Sequence, residues 1–170
     1  LVSMGFKTMR LKTGTPPRVL RSSINWALLD EEYGDKNPIP FSHFTKNFNP
    51  LNEACHTTRT NDRCHSVIKK NLHRSPMYSG EIEAVGPRYC PSIEDKVDRF
   101  SKQGSHLLFL EPEWRNSDQI YINGFSTSLP EDIQINSLRL ISGFEEVVFL
   151  RPGYAIEYDC FFPSQLKATL

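Results

Sequence analysis

The sequence predicts a mixed α/β fold. Two segments repeat apolar residues at the spacing of amphipathic helices, and several short apolar or alternating runs, bounded by glycine, proline or asparagine, are typical of strands. The chain has 170 residues, of which 38% are hydrophobic, so it is long enough to bury one core. It contains no internal repeat and no low-complexity tract.

The first third of the chain predicts a basic strand followed by an irregular connection. Residues 13–17 read Thr-Gly-Thr-Pro-Pro, and they cannot lie inside a helix because proline has no N–H donor and a fixed φ. They follow a short basic segment with the character of a strand. Residues 30–53 contain Pro38, Pro40 and Pro50 together with acidic residues and several asparagines, which indicates a long loop.

Two helices are predicted in the middle of the chain. Between residues 60 and 72, apolar side chains recur on one stripe, and Thr60 or Asn61 can cap the first turn. A second helix follows a loop rich in glycine and proline and begins near residue 93. Ser92 and Asp95 resemble a capping box at its start, with aspartate in place of the usual glutamate.

The last third predicts strands around one more helix. Residues 106–110 predict a buried strand, and residues 119–122 and 125–128 predict a β-hairpin with a type I′ turn at Asn123-Gly124.

The third helix follows that hairpin. The S-x-x-E pattern at 128–131 predicts a capping box, a helix to about residue 141 and an end at Gly143. Residues 147–150 and 154–158 predict two further strands.

Charge is balanced overall and uneven along the chain. Residues 1–80 carry 12 basic and 6 acidic side chains, and residues 81–170 carry 8 and 14. The first 29 residues contain five basic side chains and no carboxylate. A locally positive segment of this kind suits contact with phosphate, although solvation without a partner is the more common situation.

Composition argues against several classes of protein. No apolar run approaches the ~18 residues of a membrane span, and no secretory leader is visible. The four cysteines are irregularly spaced, unlike a disulfide framework, which favours a reducing compartment. The chain begins at Leu1 without methionine, so we expect it to be a piece of a longer protein.

The strongest local candidate for chemistry is the segment from Gly86 to Phe100. A helix N-terminus offers unpaired N–H donors and binds anions, Arg88 adds a charge, and Gly86 permits close approach of the backbone. Cys90, just before this helix start, is predicted to have a lowered pKa and hence thiolate character. The alternative is a structural cysteine before an ordinary capped helix.

Weaker candidates involve residues elsewhere in the chain. Cys55-His56 and Cys64-His65 are spaced too widely for a typical zinc site, so no metal is expected. No two glycines are even two residues apart, so the G-x-G-x-x-G fingerprint of dinucleotide-binding folds is missing. Lys12, Thr13, Thr15 and Arg18 are candidates for a phosphate contact. Glu111 and Glu113 are either an acid/base pair or, more commonly, the end of a strand, and Glu157 and Asp159 indicate a solvent-facing edge. Tyr121, Phe125, Tyr154 and Tyr158 either stack on bases or, more commonly, pack in the core.

Five blocks of sequence together resemble the MnmG (GidA) family of flavin-dependent tRNA wobble-uridine modification enzymes. They are RLKTGTPPR at 10–18, GPRYCPSIEDK at 86–96, LEPE at 110–113, NGFSTSLP at 123–130 and RPGYAIEYD at 151–159. The resemblance covers essentially the whole chain. Met9, Trp114 and Ile122 depart from the glycine, glycine and proline that are usual in the family.

The resemblance implies an enzyme that uses FAD, NADH and methylenetetrahydrofolate and adds a carboxymethylaminomethyl-type group to C5 of the wobble uridine of tRNA. It also implies an MnmE-type GTPase partner, a homodimer within a heterotetramer, no membrane association, and a cytoplasmic location in a bacterium or, alternatively, a mitochondrial one. The chain matches only the middle of the family and is expected to be inactive and colourless alone. A non-catalytic module that binds nucleotide or tRNA is the alternative function.

The resemblance also implies a domain division and a set of site residues. The fold is expected to be part of an FAD/NAD(P)-binding Rossmann-type domain (1–21 and 116–170) with an inserted α/β domain of α+β character (22–115). Cys90 is the implied catalytic residue. The segment implied to bind NAD comprises Gly86, Pro87, Arg88, Tyr89, Cys90, Pro91, Ser92, Ile93, Glu94, Asp95, Lys96, Val97, Asp98, Arg99 and Phe100.

Overall fold

The computed structural model describes residues 1–82, 84–87 and 89–169, and within them it has eight β-strands and three α-helices. The strands are β1 (Thr8–Gly14), β2 (Arg18–Leu20), β3 (Asp30–Glu32), β4 (Cys55–Arg59), β5 (Leu107–Pro112), β6 (Gln119–Asn123), β7 (Phe149–Arg151) and β8 (Ala155–Phe161). The helices are α1 (Asp62–Lys70), α2 (Ile93–Arg99) and α3 (Glu131–Leu138). The mixed α/β class is therefore confirmed.

Six strands form one antiparallel sheet in the order β3-β4-β5-β6-β2-β7. Alternate residues of β5 and β6 point into the core, where Leu108, Leu110, Ile120 and Ile122 are fully buried. This sheet takes strands from all three predicted segments and passes from residues 22–115 to residues 116–170 between β5 and β6. The division of the whole protein into those domains stays a prediction.

The helices share this core with the sheet. Helix α1 contacts both α2 and α3, and the stripe predicted from the sequence supplies the fully buried Cys64 and Ile68. The predicted caps of α1 and α2 are confirmed. The Asn61 side chain accepts a hydrogen bond from the Cys64 N–H at the start of α1, and Ser92 and Asp95 form both reciprocal bonds of a capping box at α2.

The predicted hairpin and the predicted cap of α3 are wrong. Strand β6 pairs with β2 and β5, while residues 125–128 lie outside the strands. A type I′ turn needs positive φ at both central residues, and only Gly124 has it, at 95°. Helix α3 begins after Pro130 without a side-chain cap, because the Ser128 hydroxyl is hydrogen-bonded to the Glu94 carboxylate instead.

Strands β1 and β8 form a separate two-stranded antiparallel ribbon that joins Thr8 to Phe161 and Gly14 to Ala155. The ribbon meets the rest of the molecule where three backbones cross, at residues 14–15, 127 and 153–154; we call this the crossing. There the Thr127 N–H donates to the Thr15 carbonyl at 3.1 Å, and the Thr15 N–H donates to the Tyr154 carbonyl at 2.9 Å. A Cβ atom on Gly14 would lie 2.7 Å from the Thr127 backbone, so only glycine fits.

After β3 the chain forms the predicted irregular connection. The Asn52 side chain closes its base by bonding both the N–H and the carbonyl of Gly34, at 2.9 and 3.3 Å. Phe41 and Phe44 at its tip are fully exposed. Among the described residues, the helices are all too short or too polar to cross a membrane.

Candidate functional site

A small polar cavity of about 110 Å³ lies between β1, the turn at residues 77–78 and the start of α2. The first block of the family resemblance supplies one wall and the second block supplies the opposite wall. The described residues that line it are Lys12, Thr13, Met77, Tyr78, Gly86, Cys90, Ser92, Asp95 and Arg99. The structure therefore brings together two motifs that are more than seventy residues apart in the sequence.

Cys90 is the exposed thiol of this cavity. Its Sγ atom lies 3.5 Å from the Thr13 hydroxyl oxygen, within hydrogen-bond distance for sulfur. Cys64 is the opposite case, because burial raises the pKa of its thiol to about 12 and keeps it protonated. Arg88, which the sequence placed beside Cys90, lies outside the described residues.

The start of α2 offers fewer free N–H donors than the sequence indicated. The Ile93 N–H donates to the Ser126 carbonyl at 2.6 Å, and the Asp95 N–H donates to the Ser92 hydroxyl at 3.1 Å. The Lys96 N–H completes the first turn by bonding the Ser92 carbonyl at 3.0 Å. The N–H donors of Ile93 and Asp95 are therefore occupied by the protein itself, and Asp95 brings a carboxylate to the same place, so anion binding by this helix start has less support than the sequence indicated and stays a prediction.

Asp95 links α2 to the other walls of the cavity. Its carboxylate accepts a hydrogen bond from the Tyr78 hydroxyl at 2.9 Å and lies 3.3 Å from the Arg99 guanidinium. Burial, together with this bond to Asp95, raises the pKa of Tyr78. The phenol is therefore neutral and acts as a donor that fixes the carboxylate.

Glu94, the neighbour of the cavity residue Asp95, is fully buried. The sequence predicted it only as a member of the NAD segment. One carboxylate oxygen, Oε1, accepts bonds from the Thr127 hydroxyl at 3.1 Å and the Ser128 N–H at 2.9 Å, with the hydroxyls of Ser128 and Ser75 both at 3.3 Å. The second oxygen, Oε2, has no hydrogen-bond partner among the described residues. Burial raises the pKa of this carboxyl group.

The rest of the predicted segment divides by burial. Ile93 and Val97 belong to the hydrophobic core, whereas Tyr89, Asp98 and Phe100 are exposed. Lys96 is partly buried and donates to the Gly124 carbonyl at 2.8 Å, and its burial lowers its pKa. Pro87 and Pro91 are half-buried in the loop that leads to α2.

The basic residues of the first segment are mostly engaged with the protein itself. Arg10 pairs with Asp159 and Glu157 across the ribbon, and Arg18 pairs with Glu113 at 2.7 Å. Ion pairs between residues 1–80 and residues 81–170 therefore neutralise part of the charge difference between these two halves. The Glu113 carboxylate therefore pairs with Arg18 and does not form an acid/base pair with Glu111.

Other predicted candidates are structural in the fold. Tyr121 packs under the Arg18 guanidinium, 4.9 Å from the ring centroid, and Phe125 is fully buried. In the part of the chain that the structure describes, no three His, Cys, Asp or Glu side chains gather as a possible metal site. His65 instead stacks on His106 with ring centroids 5.2 Å apart, and burial lowers the pKa of both.

Comparison with known proteins agrees with the blocks of sequence that form the cavity. The family model described as "Glucose inhibited division protein A" matches residues 1–170. The chain is 53% identical to the tRNA uridine 5-carboxymethylaminomethyl modification enzyme MnmG of Chlorobium phaeovibrioides, and 51% identical to that of Christiangramia forsetii. Each match includes the whole of this chain but only 28% and 27% of the relative.

Solved structures give the same result for the fold. The Aquifex aeolicus GidA structure in crystal form I is 43% identical, with a TM-score of 0.85, over 97% of this chain and 29% of that chain. Crystal form II gives 40% identity and a TM-score of 0.81. Since the family model matches every residue and the fold agrees with the GidA structures, this chain belongs to the glucose inhibited division protein A (GidA, MnmG) family.

Proposed function

We propose that the complete protein adds a carboxymethylaminomethyl-type group to C5 of the wobble uridine of tRNA. The observation that carries this proposal is Cys90, an exposed thiol in a polar cavity that two family motifs form together. The names of the relatives support the reaction and the substrate. The chain spans about 28% of the length of those relatives, so the activity belongs to the longer protein.

Cys90 acts as a nucleophile in this proposal. A thiolate Sγ donates the electron pair that forms a bond to an electrophilic carbon of the pyrimidine or of a one-carbon adduct, and the π bond at that carbon breaks, with its electrons moving to the ring enolate or to the nitrogen of the adduct. When the product forms, those electrons re-form the double bond, and the carbon–sulfur bond breaks to return the thiolate. Thr13 lies within hydrogen-bond distance of the sulfur and orients it. Asp95, held by Ser92 and Tyr78, fixes the end of α2 that borders the cavity.

FAD is the cofactor that we propose for the complete protein, and the described residues do not form a site for its pyrophosphate. Phosphates of dinucleotides are bound by a glycine-rich turn at a helix start, and the chain has no two glycines close enough for one. Residues outside this chain therefore hold the phosphates. Flavin supplies redox chemistry when bound, and no step is assigned to it on this chain.

NADH and methylenetetrahydrofolate complete the proposed set of co-substrates. The cavity of about 110 Å³ is smaller than the ~300–1,000 Å³ of typical ligand pockets. The start of α2 is poorly suited to a pyrophosphate, because the N–H donors of Ile93 and Asp95 are occupied and Asp95 is acidic. We therefore propose that NADH contacts only the loop part of the segment, at residues 86–91.

The proposed partners are tRNA and an MnmE-type GTPase, in a complex that contains a homodimer of this protein and lies in the cytoplasm. The alternative is a module that binds nucleotide or tRNA without catalysis. The lack of a flavin phosphate loop in this chain favours that alternative for the chain alone. The two functions differ in one testable respect, because only the catalytic function requires the Cys90 thiol in the complete protein.

Substitution of Cys90 in the full-length protein tests the proposal. We expect Cys90→Ser to abolish tRNA modification and to leave the affinity for NADH nearly unchanged, because a serine hydroxyl is a far weaker nucleophile than a thiolate. Cys160→Ser, on β8 and outside the cavity wall, is the matched control and should keep full activity. Modification by Cys90→Ser at close to the rate of the unaltered enzyme would show that Cys90 is structural.

A further inference from the structure

The segment that carries Cys90 has few apolar contacts to hold it. From residue 76 to residue 91 the structure describes no helix or strand, and Met77 is the one buried hydrophobic residue among those described. Its internal backbone bonds include those from the Ile82 N–H to the Pro76 carbonyl at 3.3 Å and from the Cys90 N–H to the Pro87 carbonyl at 3.4 Å, both long. Something outside the segment must therefore determine where Cys90 lies.

Strand β1 supplies that attachment, mainly through Lys12. The Lys12 ammonium donates to the Met77 carbonyl at 2.7 Å and to the Ile82 carbonyl at 3.2 Å. The backbone adds two bonds, from the Lys12 N–H to the Val85 carbonyl and from the Val85 N–H to the Arg10 carbonyl, both 3.1 Å. All four bonds involve two residues of β1, Arg10 and Lys12.

Cys90 lies directly beyond this attachment. Thr13, the next residue on β1, contacts the Cys90 sulfur. A separate bond, from Tyr78 to Asp95, connects the same segment to α2, so the segment is held between the ribbon and the helix. Of these side-chain contacts, the one made by Lys12 carries a full positive charge and reaches two carbonyls of the segment.

We propose that Lys12 is a positioning residue for Cys90: its ammonium fixes residues 77–85 on β1 and so fixes the thiol opposite Thr13. The proposal that this matters for modification rests on the proposed function. The attachment itself does not, and it can be measured on this chain. Lys12 thus serves the site by holding carbonyl groups of the protein, in place of the phosphate contact that the sequence suggested.

Amide hydrogen exchange on this chain tests the attachment. In Lys12→Met, exchange at the Val85 and Ile82 amides should be at least about tenfold faster, the factor expected from losing a charge-assisted hydrogen bond that opposes local opening. Lys12→Arg can still reach both carbonyls and should stay within about threefold of the unaltered chain. Lys7→Met, an exposed lysine just before the same strand, is the control and should change nothing.

Kinetics in the full-length enzyme test the positioning role. Lys12→Met should lower kcat for tRNA modification at least about tenfold and leave KM for tRNA within about twofold, and Lys12→Arg should restore kcat.

Two outcomes would overturn the proposal: unchanged amide exchange in Lys12→Met, or faster exchange with an unchanged kcat. If Lys12→Met does not fold, Lys12→Gln, which keeps one donor group, should give an intermediate exchange rate, and equality with the unaltered chain would refute the attachment. Full activity of Cys90→Ser would refute the proposed role of Cys90 as nucleophile while leaving the exchange result intact.

Discussion

Two regions of this molecule are stabilised in different ways. The sheet body, comprising β2–β7 with α1–α3, contains nearly all of the fully buried apolar side chains. The ribbon side, comprising β1, β8 and residues 76–91, buries only Gly14 and Met77 among its described residues, and it is joined by hydrogen bonds and exposed ion pairs. Hydrophobic burial gives cooperative stability, whereas polar attachments open locally at lower cost. The candidate site lies where the ribbon side, which opens at lower cost, meets α2 of the sheet body.

The largest expected effect comes from removing core volume in the sheet body. Leu110→Ala should lower the free energy of unfolding by about 2–5 kcal/mol, because Leu110 is completely buried between neighbouring strands. Leu107, at the start of the same strand, is 38% exposed, and Leu107→Ala should cost clearly less. Denaturant unfolding of both variants measures the difference, and equal losses would contradict the picture of a single apolar core.

A smaller effect is expected at the crossing, where the two regions meet. Gly14→Ala places a methyl group against the backbone of Thr127 and should destabilise the chain by about 1–3 kcal/mol. Gly104→Ala is the matched control, since its added Cβ would meet only a side-chain oxygen of Asp62 at 3.6 Å. Thermal unfolding of the two variants separates them. A Gly14→Ala chain as stable as the control would mean that the ribbon is not rigidly seated.

The smallest expected effect is a pH dependence from the buried carboxyl group of Glu94. Because its folded pKa is raised above the unfolded value, this group contributes stability below the unfolded pKa and loses it as pH rises through the folded pKa. The loss is at most about 1.4 kcal/mol per pH unit. Glu94→Gln should remove this component, so the variant should gain stability relative to the unaltered chain as pH rises above about 4.5. Parallel pH profiles of unfolding for the two chains would contradict a buried titrating carboxyl.

Local patterns predicted the helices well because their signals lie within a few residues of each other. Asn61 caps α1 and Ser92 caps α2 as the sequence indicates. The same reasoning failed at Ser128, although its S-x-x-E pattern is the better match to a capping box. Glu94 lies 34 residues away and binds that hydroxyl, and nothing local to Ser128 reveals such a competitor.

The candidate site was predictable in part for the same reason. The segment from Gly86 to Phe100, which contains Cys90, could be identified from its local pattern, and the resemblance to a family indicates the same segment. The sequence did not reveal that Thr13 and Lys12 form the facing wall, since this depends on the pairing of β1 with residues far along the chain. Nor did it reveal that the donors of α2 are occupied, because Ser126 reaches Ile93 only through the tertiary fold.

The pairing of β1 with β8 has a consequence for synthesis on the ribosome. Strand β1 is made first, yet its partner begins at Ala155, and β2 must also wait for β6 and β7. At roughly 5–20 residues per second, about 7–30 s pass before Thr8 can meet Phe161. Throughout that time the edge of β1 that pairs with β8 is exposed, so the ribbon that supports the Lys12 and Thr13 wall of the cavity is completed only after translation has passed β8.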